Sequence, residues 1–154
     1  MYREMRRKDR LLSEEEMHQI INTAPYGVLS TIRENGIPYG VPINYVYKDN
    51  SIYFHSAVVG HKLDNIKFNN NVSFCVVTDM ENVPDKFTTK YKSVIIFGTV
   101  NEVNEDEKIE IFKLILKKYS ANFMDSGMDY VAKAGNNARV FKININHISA
   151  KGNK

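Results

Sequence analysis

Short runs in which apolar and polar side chains alternate recur along most of this chain, and turn signals separate them. Alternation of this kind has the period of a β-strand, because successive side chains point to opposite faces of a sheet. The clearest pair of runs flanks Asn35-Gly36, a dipeptide typical of tight hairpins. Strands joined by hairpins or short helices form antiparallel sheets. The sequence therefore predicts a largely antiparallel sheet of about six strands, over residues 26–32, 37–47, 51–56, 72–78, 92–103 and 139–148.

Three helices are predicted between these strands. Ser13 with Glu16 forms a capping-box pattern before a helix that ends at Pro25, and Asn104 with Glu107 repeats that pattern before a second helix. A short helix is expected at residues 61–70, a polar loop at 80–90 and irregular structure at 121–137. We expect a mainly β, single domain over residues 1–154, in which a small closed barrel carries helices at its rim. A two-layer α+β sandwich is the alternative.

Composition and charge narrow the classes of partner. The formal net charge of +3 is too small to indicate a nucleic-acid partner, and the basic N-terminal arm, residues 1–12, is expected to be solvated rather than bound to RNA or membrane. The single cysteine, Cys75, excludes an intramolecular disulfide, and no histidine or cysteine cluster has metal-ligand spacing. No signal segment and no run of 18 apolar residues occurs, so a cytoplasmic protein with no membrane partner is expected.

A candidate phosphate site lies where the strand at 51–56 leads through a short loop into a helix. The first turn of a helix has unpaired N–H groups and the positive end of the helix dipole. Gly60 permits close approach of the backbone, and His61 and Lys62 add donors and charge. His55 and Ser56, at the strand end, strengthen this interpretation. A plain helix cap with two exposed polar side chains is the alternative.

A second candidate site is the strand at 37–47, which contains two prolines. Gly40 and Pro42 disturb the hydrogen-bond ladder and could expose backbone groups to the edge of a planar ring, while Asn44 could donate and accept hydrogen bonds. The alternative is an edge strand whose prolines prevent aggregation.

Further along, Arg139 shares strand parity with Phe141 and should face a buried surface. A buried arginine needs an anionic partner, which could be a ligand, a carboxylate or another subunit.

Taken in order, these segments resemble the pyridoxamine 5′-phosphate oxidase-like FMN-binding split barrels, and most closely their nitroimidazole-resistance (NimA-like) branch. Each segment alone is only weakly specific for the family, but the ordered set covers nearly the whole chain. The resemblance implies a six-stranded antiparallel split β-barrel with flanking short helices, which forms a homodimer with two FMN molecules at the interface. The segments that carry it are MRRKDR (5–10), YGVLST (26–31), PYGVPINYVY (38–47), IYFHSA (52–57), GHKLDNI (60–66), VSF (72–74), SVIIFG (93–98) and ARVFKI (138–143).

The same resemblance implies roles for individual residues. His61 and Lys62 would hold the FMN phosphate with help from Ser56, and His55 and Ala57 would line the ribityl side. Three residues would act across the dimer interface: Tyr91, Ser93 and Arg139. Without the resemblance, the segment around Tyr91 and Ser93 would be taken as a solvated loop before a buried strand. The residues that would flank the isoalloxazine are Val41, Pro42, Ile43 and Asn44.

The activity implied is FMN-dependent reduction of a small nitroaromatic such as a 5-nitroimidazole. His61 is the candidate catalytic residue, either delivering a proton or only binding the cofactor. The chain ends without the basic, aromatic tail of pyridoxamine phosphate oxidases, which argues against vitamin-B6 oxidation. Alternatives are a non-catalytic flavin- or haem-binding protein, an oxidase-like enzyme of other substrate, and an RNA-binding barrel. The sequence does not distinguish FMN from a deazaflavin.

Overall fold

The computed structural model describes residues 1–154 as a single antiparallel sheet of seven strands with four α-helices around it. The strands follow one another across the sheet in the order β2-β1-β5-β6-β7-β4-β3. The strands are β1 (Gly27–Ile32), β2 (Pro38–Ile43), β3 (Val46–Lys48), β4 (Ser51–Ser56), β5 (Asn71–Val83), β6 (Thr88–Glu102) and β7 (Arg139–Asn153). The helices are α1 (Glu14–Thr23), α2 (His61–Phe68), α3 (Glu105–Tyr119) and α4 (Met124–Ala134).

The two outer strands of the sheet, β2 and β3, are consecutive in sequence and are joined by only Asn44 and Tyr45. The sheet must therefore curl until its two edges nearly meet. No ladder of hydrogen bonds joins β2 to β3, so the barrel is split rather than closed. The predicted antiparallel split barrel is confirmed. The closed barrel expected from strand patterns alone is wrong, and the strands number seven because the predicted strand at 37–47 divides in two.

The division occurs because Tyr45 bonds to a side chain instead of a neighbouring strand. Its backbone N–H donates to the Tyr119 hydroxyl at 3.1 Å, and its own hydroxyl donates to the Ile21 carbonyl oxygen at 2.5 Å. The Tyr45 side chain is fully buried against Phe74, edge to face, with ring centroids 5.0 Å apart. Tyr45 thus leaves the strand ladder to fill the end of the barrel.

The hairpin predicted at Asn35-Gly36 and the edge position of β2 are both observed. Gly36 has a φ of 79°, and its N–H donates to the Arg33 carbonyl oxygen at 2.8 Å. β2 pairs only with β1. Pro38 and Pro42 therefore lie on an exposed strand edge, where the missing N–H of a proline costs no ladder hydrogen bond.

The hairpin between β5 and β6 is longer than predicted, and the prediction of a polar loop at 80–90 is wrong. β5 has a bulge between Thr78 and Glu81 and then continues to Val83, and β6 begins at Thr88. β5 pairs with β1 only through residues 73–75, so the end of this hairpin projects beyond the sheet. Both faces of the projecting part are solvated, which removes the apolar alternation on which strand prediction depends.

Helix α4 was also missed, since residues 121–137 were expected to be irregular. The helix contains Gly127, which lowers helix propensity, and none of its residues is buried. Gly127 has a packing reason: a Cβ atom there would lie 2.5 Å from Cδ2 of Leu116 on α3. Its glycine lets α4 approach α3 closely.

The core has two parts. The larger, of 19 buried residues, fills the barrel and includes Leu29, Phe54 and Phe74. The smaller, of 6 residues, lies between α3 and the outer face of the sheet, and Phe112 and Tyr53 belong to it. Adjacent residues of β4 therefore face different cores. No helix in the structure has the length and apolar character needed to cross a bilayer.

Most residues of the N-terminal arm are exposed, and two contacts attach the arm to the rest of the chain. Leu12 is buried in the larger core, and its N–H donates to the Ala150 carbonyl oxygen of β7 at 3.1 Å. Tyr2 stacks on His147, with ring centroids 4.9 Å apart. Leu12 and Tyr2 therefore attach the arm near its two ends, whereas the side chain of Leu11 is exposed.

Candidate functional site

A wide cleft opens beside the split in the barrel, and we call it the β2 cleft. Its volume is about 760 Å³, within the range of small-molecule sites. It contains four residues predicted from sequence to bind a cofactor: Pro42, Ile43, Asn44 and His55. Pro25, Tyr26 and Tyr119 complete its lining. The Asn44 amide is exposed and makes no hydrogen bond within the chain, so it is available to a ligand.

Two residues at the end of α3 fix the floor of this cleft. The Tyr119 hydroxyl donates to the Pro25 carbonyl oxygen at 2.7 Å while accepting the Tyr45 N–H. The Lys118 ammonium donates to the Tyr45 carbonyl oxygen at 3.1 Å and lies 3.9 Å from the centroid of the Tyr45 ring. Burial lowers the pKa of Lys118 to about 8. Both side chains therefore hold the link between β2 and β3 in place.

A second, more apolar space adjoins the first at His55, and we call it the α3–α4 cavity. Its volume is about 390 Å³. His55, Ser56 and Ala57 form its wall at the end of β4, so two further predicted residues lie here. The other lining residues are Phe112, Ile115 and Leu116 of α3, Tyr130, Val131 and Ala134 of α4, and Asn137 and Ala138 beyond it.

His55 separates the two spaces. Its ring lies 5.9 Å from the ring of Phe112, centroid to centroid, and it makes no hydrogen bond within the chain. Although the side chain reaches solvent, the surrounding protein atoms and the charge of Lys62 lower its pKa. The imidazole is therefore mainly neutral at pH 7, with one donor and one acceptor nitrogen.

Ser56 is the one residue with a buried side-chain polar atom that lacks any hydrogen-bond partner. Along β4 its position alternates with that of His55, so its side chain faces the barrel interior with Ile52 and Phe54, away from α3. A buried hydroxyl with no partner costs about 1–3 kcal/mol. An unpaired buried hydroxyl is typical of a functional position, and this one lies at the strand end, immediately before the loop that leads to α2.

The start of α2 is arranged as the sequence predicted. Gly60 precedes the helix with a φ of 155°, which side chains rarely adopt, and no side chain caps the first turn. Neither His61 nor Lys62 takes part in an ion pair or a side-chain hydrogen bond. The imidazole of His61 stacks on Tyr39 of β2, with ring centroids 4.0 Å apart. The start of α2 and the exposed strand β2 therefore meet, and Lys62 acts on His55 across the same region.

Three predicted residues lie elsewhere. Tyr91 and Ser93 are on β6, opposite Asn153 and Lys151 of β7, and line neither the β2 cleft nor the α3–α4 cavity. The neighbouring Arg10 side chain, with the charge of Lys151, lowers the pKa of Tyr91. Their assignment to a site shared between two subunits stays a prediction.

Arg139 has a partner within the chain. Its Nε and Nη2 atoms donate to the two carboxylate oxygens of Glu102 at 2.8 and 2.7 Å, and Nη1 donates to the Val58 carbonyl oxygen at 3.2 Å. The side chain is half-buried rather than interior, and a carboxylate supplies the expected negative charge. In this structure Arg139 holds the loop before Gly60 and lines neither the β2 cleft nor the α3–α4 cavity.

Sequence reasoning missed several residues of these sites. Nothing local in the sequence indicates that the Tyr119 hydroxyl reaches Pro25 and Tyr45. Tyr130 and Val131 were missed together with α4. Tyr39 was placed correctly on a strand, and its position two residues before Val41, on the same face, was a signal that it could reach the site.

Fold and site together define a split β-barrel with a small-molecule cleft at its open edge. The sequence matches the pyridoxamine 5′-phosphate oxidase family over residues 13–152, and the chain belongs to that family. The family resemblance noted from the sequence is confirmed. No curated protein matches the chain closely enough to report.

Solved structures show the same fold at low identity. A conserved hypothetical protein from Mycobacterium tuberculosis has a TM-score of 0.81 and 21% identity, over 97% of this chain and 90% of that one. A candidate 5-nitroimidazole antibiotic resistance protein from Bacteroides thetaiotaomicron has a TM-score of 0.75 and 21% identity, over 93% and 86%. A FAD-binding protein from Mesorhizobium loti has a TM-score of 0.66 and 23% identity, over 94% and 98%.

Proposed function

We propose that this protein is an FMN-dependent oxidoreductase that reduces a small nitroaromatic compound, for which a 5-nitroimidazole is a suitable test substrate. One observation carries the proposal: an uncapped helix start with a free cation, Lys62, packs through His61 on strand β2, and the end of that strand lines the β2 cleft. A phosphorylated molecule with a planar ring has complementary parts.

The phosphate end of the site consists of Gly60, His61 and Lys62. The N–H groups of the first helical turn point toward an anion placed there, and the helix dipole favours negative charge. Lys62 has no carboxylate partner within the chain, so its charge is available. Because Gly60 has no side chain and nothing lies within 4 Å of where a Cβ atom would be, an anion can approach the backbone closely.

The ring end of the site consists of β2 and the link that follows it. Pro42 and Ile43 present apolar surface to the cleft, and the Asn44 amide can both donate to and accept from the polar edge of a flavin ring. No ionised side chain lines the cleft, which suits a neutral ring system. Of the other predicted residues, Val41 packs against the barrel core, and His55 and Ala57 lie at the end of β4.

The cofactor would supply the electron transfer, and the chain would bind, orient and exchange protons. His61 is exposed and makes no hydrogen bond within the chain, so its imidazole is free to exchange a proton with a bound ligand. His55, whose pKa is lowered, serves as a neutral hydrogen-bonding group. The unpartnered Ser56 hydroxyl lies between the two ends in sequence and fits an assisting role.

Relatives support the choice of cofactor and substrate class. The Mesorhizobium loti protein of this fold is described as FAD-binding, and the Bacteroides thetaiotaomicron protein is described in connection with 5-nitroimidazole resistance. We choose FMN over FAD because the uncapped start of α2, beside strand β2, offers a site for one phosphate. Flavin identity is part of the experiment below.

We also propose a homodimer in which FMN lies at the subunit interface and Tyr91 and Ser93 act from the partner subunit. The β2 cleft is open on one side, and Tyr26 at its rim is exposed. Light scattering coupled to size-exclusion chromatography should give the mass of two chains, and Tyr91→Ala should weaken flavin binding. A monomer that retains flavin would contradict the dimeric arrangement.

The test is the absorption spectrum of the purified protein, followed by mass identification of any released chromophore. We expect flavin bands and released FMN, and oxidation of the reduced protein by 2-methyl-5-nitroimidazole. A colourless protein that takes up no added FMN would contradict the cofactor site. If the protein binds flavin but its reduced form does not react with nitroaromatics, the proposed cofactor site is supported and the proposed substrate class is contradicted.

Matched variants on α2 locate the phosphate. Lys62→Ala should weaken FMN binding by at least about tenfold, since a charge-assisted contact contributes about 1.5–3 kcal/mol. Lys67→Ala, in the last turn of the same helix, removes the same charge away from the site and should leave FMN affinity unchanged. Equal effects of the two substitutions would indicate general electrostatics rather than a phosphate site at Gly60-His61-Lys62.

A further inference from the structure

Two contacts, one near each end of α4, attach this helix to α3 beside the α3–α4 cavity. Near its start, Gly127 packs on Leu116, and just beyond its end the Gly135 carbonyl oxygen accepts a hydrogen bond from the buried Lys108 ammonium at 2.9 Å. Between these attachments α4 presents apolar side chains toward α3 and the end of β4, yet none of its residues is buried. The helix covers a space and does not fill it.

The lining of this cavity selects for uncharged ligands. It contains no lysine, arginine, aspartate or glutamate, and eight of its eleven residues are hydrophobic. Its one titratable polar group in the physiological range is His55, whose pKa is lowered by burial and by Lys62. An ion placed here would lose its hydration without gaining a partner, which is costly.

The walls also select for a ring with one polar end. Phe112 of α3 and Tyr130 of α4 supply aromatic surface, and aromatic groups stack or pack edge to face on each other. His55 and Asn137 supply hydrogen-bonding groups on the wall. A volume of about 390 Å³ lies at the lower end of the range for small-molecule sites.

We propose that the α3–α4 cavity binds a neutral, single-ring aromatic molecule with one hydrogen-bonding substituent, and that this molecule is the substrate. The binding site itself follows from the cavity. Its role as a substrate site rests on the function proposed above, because His55 is the wall shared with the β2 cleft where the FMN ring is placed. The substrate therefore belongs to a class that is apolar, aromatic and uncharged at neutral pH.

Nitrobenzene and benzoate make a sharp pair of probes, since they have nearly the same shape and differ by one negative charge. We expect nitrobenzene to bind the purified protein in ligand-observed NMR titrations and benzoate to bind at least about tenfold more weakly. The measurement needs no turnover, so it is independent of catalysis. Benzoate binding as tightly as nitrobenzene would overturn the proposal.

Two substitutions on α4 locate the bound probe. Ala134→Leu adds bulk inside the cavity and should weaken nitrobenzene binding by at least about tenfold. Ala132→Leu adds the same bulk on the exposed side of the same helix and should have no effect. If Ala134→Leu does not fold, Val131→Phe fills the same cavity from one turn earlier and should weaken binding in the same way.

The outcomes separate this proposal from the proposed flavin function. Both proposals are supported if Ala134→Leu has a normal flavin content but binds nitrobenzene more weakly and has a raised KM for the nitroaromatic substrate. Nitrobenzene binding that is identical in the wild type, Ala134→Leu and Val131→Phe overturns the cavity as its site and leaves the flavin function standing. Weakened binding in a protein that takes up no flavin supports the aromatic site and overturns its role as a substrate site.

Discussion

The imidazole of His61 lies against the ring of Tyr39, with ring centroids 4.0 Å apart and an angle of 23° between the two planes. His61 is the first residue of α2, and Tyr39 belongs to the edge strand β2. The contact therefore joins the two parts of the proposed flavin site, which are separated by more than twenty residues of sequence. Exposed edge strands are mobile compared with central ones, and this stacking fixes one of them against a helix.

Removing the Tyr39 ring should weaken flavin binding without removing any residue that holds the phosphate. Stacked aromatic pairs contribute about 0.5–1.5 kcal/mol, so Tyr39→Ala should raise the Kd for FMN by about two- to tenfold. Quenching of FMN fluorescence on binding measures this change. Tyr39→Phe keeps the ring and is the control, and a loss of affinity in that variant equal to the loss in Tyr39→Ala would show that stacking is not the cause.

The Tyr119 hydroxyl should contribute to stability although the side chain is only half-buried. Tyr119→Phe leaves the Tyr45 N–H and the Pro25 carbonyl oxygen without their partner. We expect a loss of about 1–2 kcal/mol in the free energy of unfolding, measured by denaturant titration. Tyr2→Phe, which removes a hydroxyl that bonds to nothing in the chain, should change stability little. Equal stabilities of the two variants would contradict the role given to Tyr119.

Lys118 should make stability rise with pH above neutrality. Its pKa is lowered to about 8 in the folded protein, whereas an unfolded lysine titrates near 10.4. Between these values the unfolded state binds more protons, so the free energy of unfolding increases as pH rises. Relative to Lys118→Met, the wild type should therefore gain stability from pH 8 to pH 10. A pH-independent difference between the two proteins would mean that Lys118 titrates normally.

The Arg139–Glu102 pair should stabilise the loop at residues 57–60 most strongly near neutral pH. Arg139 lowers the pKa of Glu102, so the stabilisation is present above the unfolded pKa of the carboxyl and is lost as pH falls through its folded value. Because both groups reach solvent, we expect about 0.5–1 kcal/mol. Hydrogen exchange of the amides at 57–60 should be faster in Arg139→Ala than in Glu102→Gln, which keeps the bond to Val58.

Much of the fold was predictable because its determinants are local. The Asn35-Gly36 hairpin, the capping box at Ser13 and the prolines of the edge strand each act within a few residues. The missing elements depend on distant contacts. The strand break at Asn44-Tyr45 is set by Tyr119, and the position of α4 is set by Gly127 against Leu116.

The candidate site likewise contains residues that could be predicted from local sequence and residues that depend on distant contacts. Residues 41–44 and 55–62 form continuous segments whose chemistry can be recognised in sequence, and the structure brings them to one end of the barrel. The partner of Arg139 could not be chosen from sequence, since a carboxylate, a ligand and another subunit satisfy its charge equally. Glu102 is 37 positions away and becomes its neighbour only through the β6–β7 ladder.

Strand β7 has a consequence for how the chain reaches this structure. It lies between β6 and β4, and no other strand connects β2-β1-β5-β6 to β4-β3. Its pairing with β6 closes a loop of moderate length, but its pairing with β4 joins residues more than eighty positions apart. Such distant contacts form late because the entropy of loop closure must first be overcome. Without β7 no strand pairing would join the two groups, so the β2 cleft, which combines residues of β2 and β4, depends on its docking.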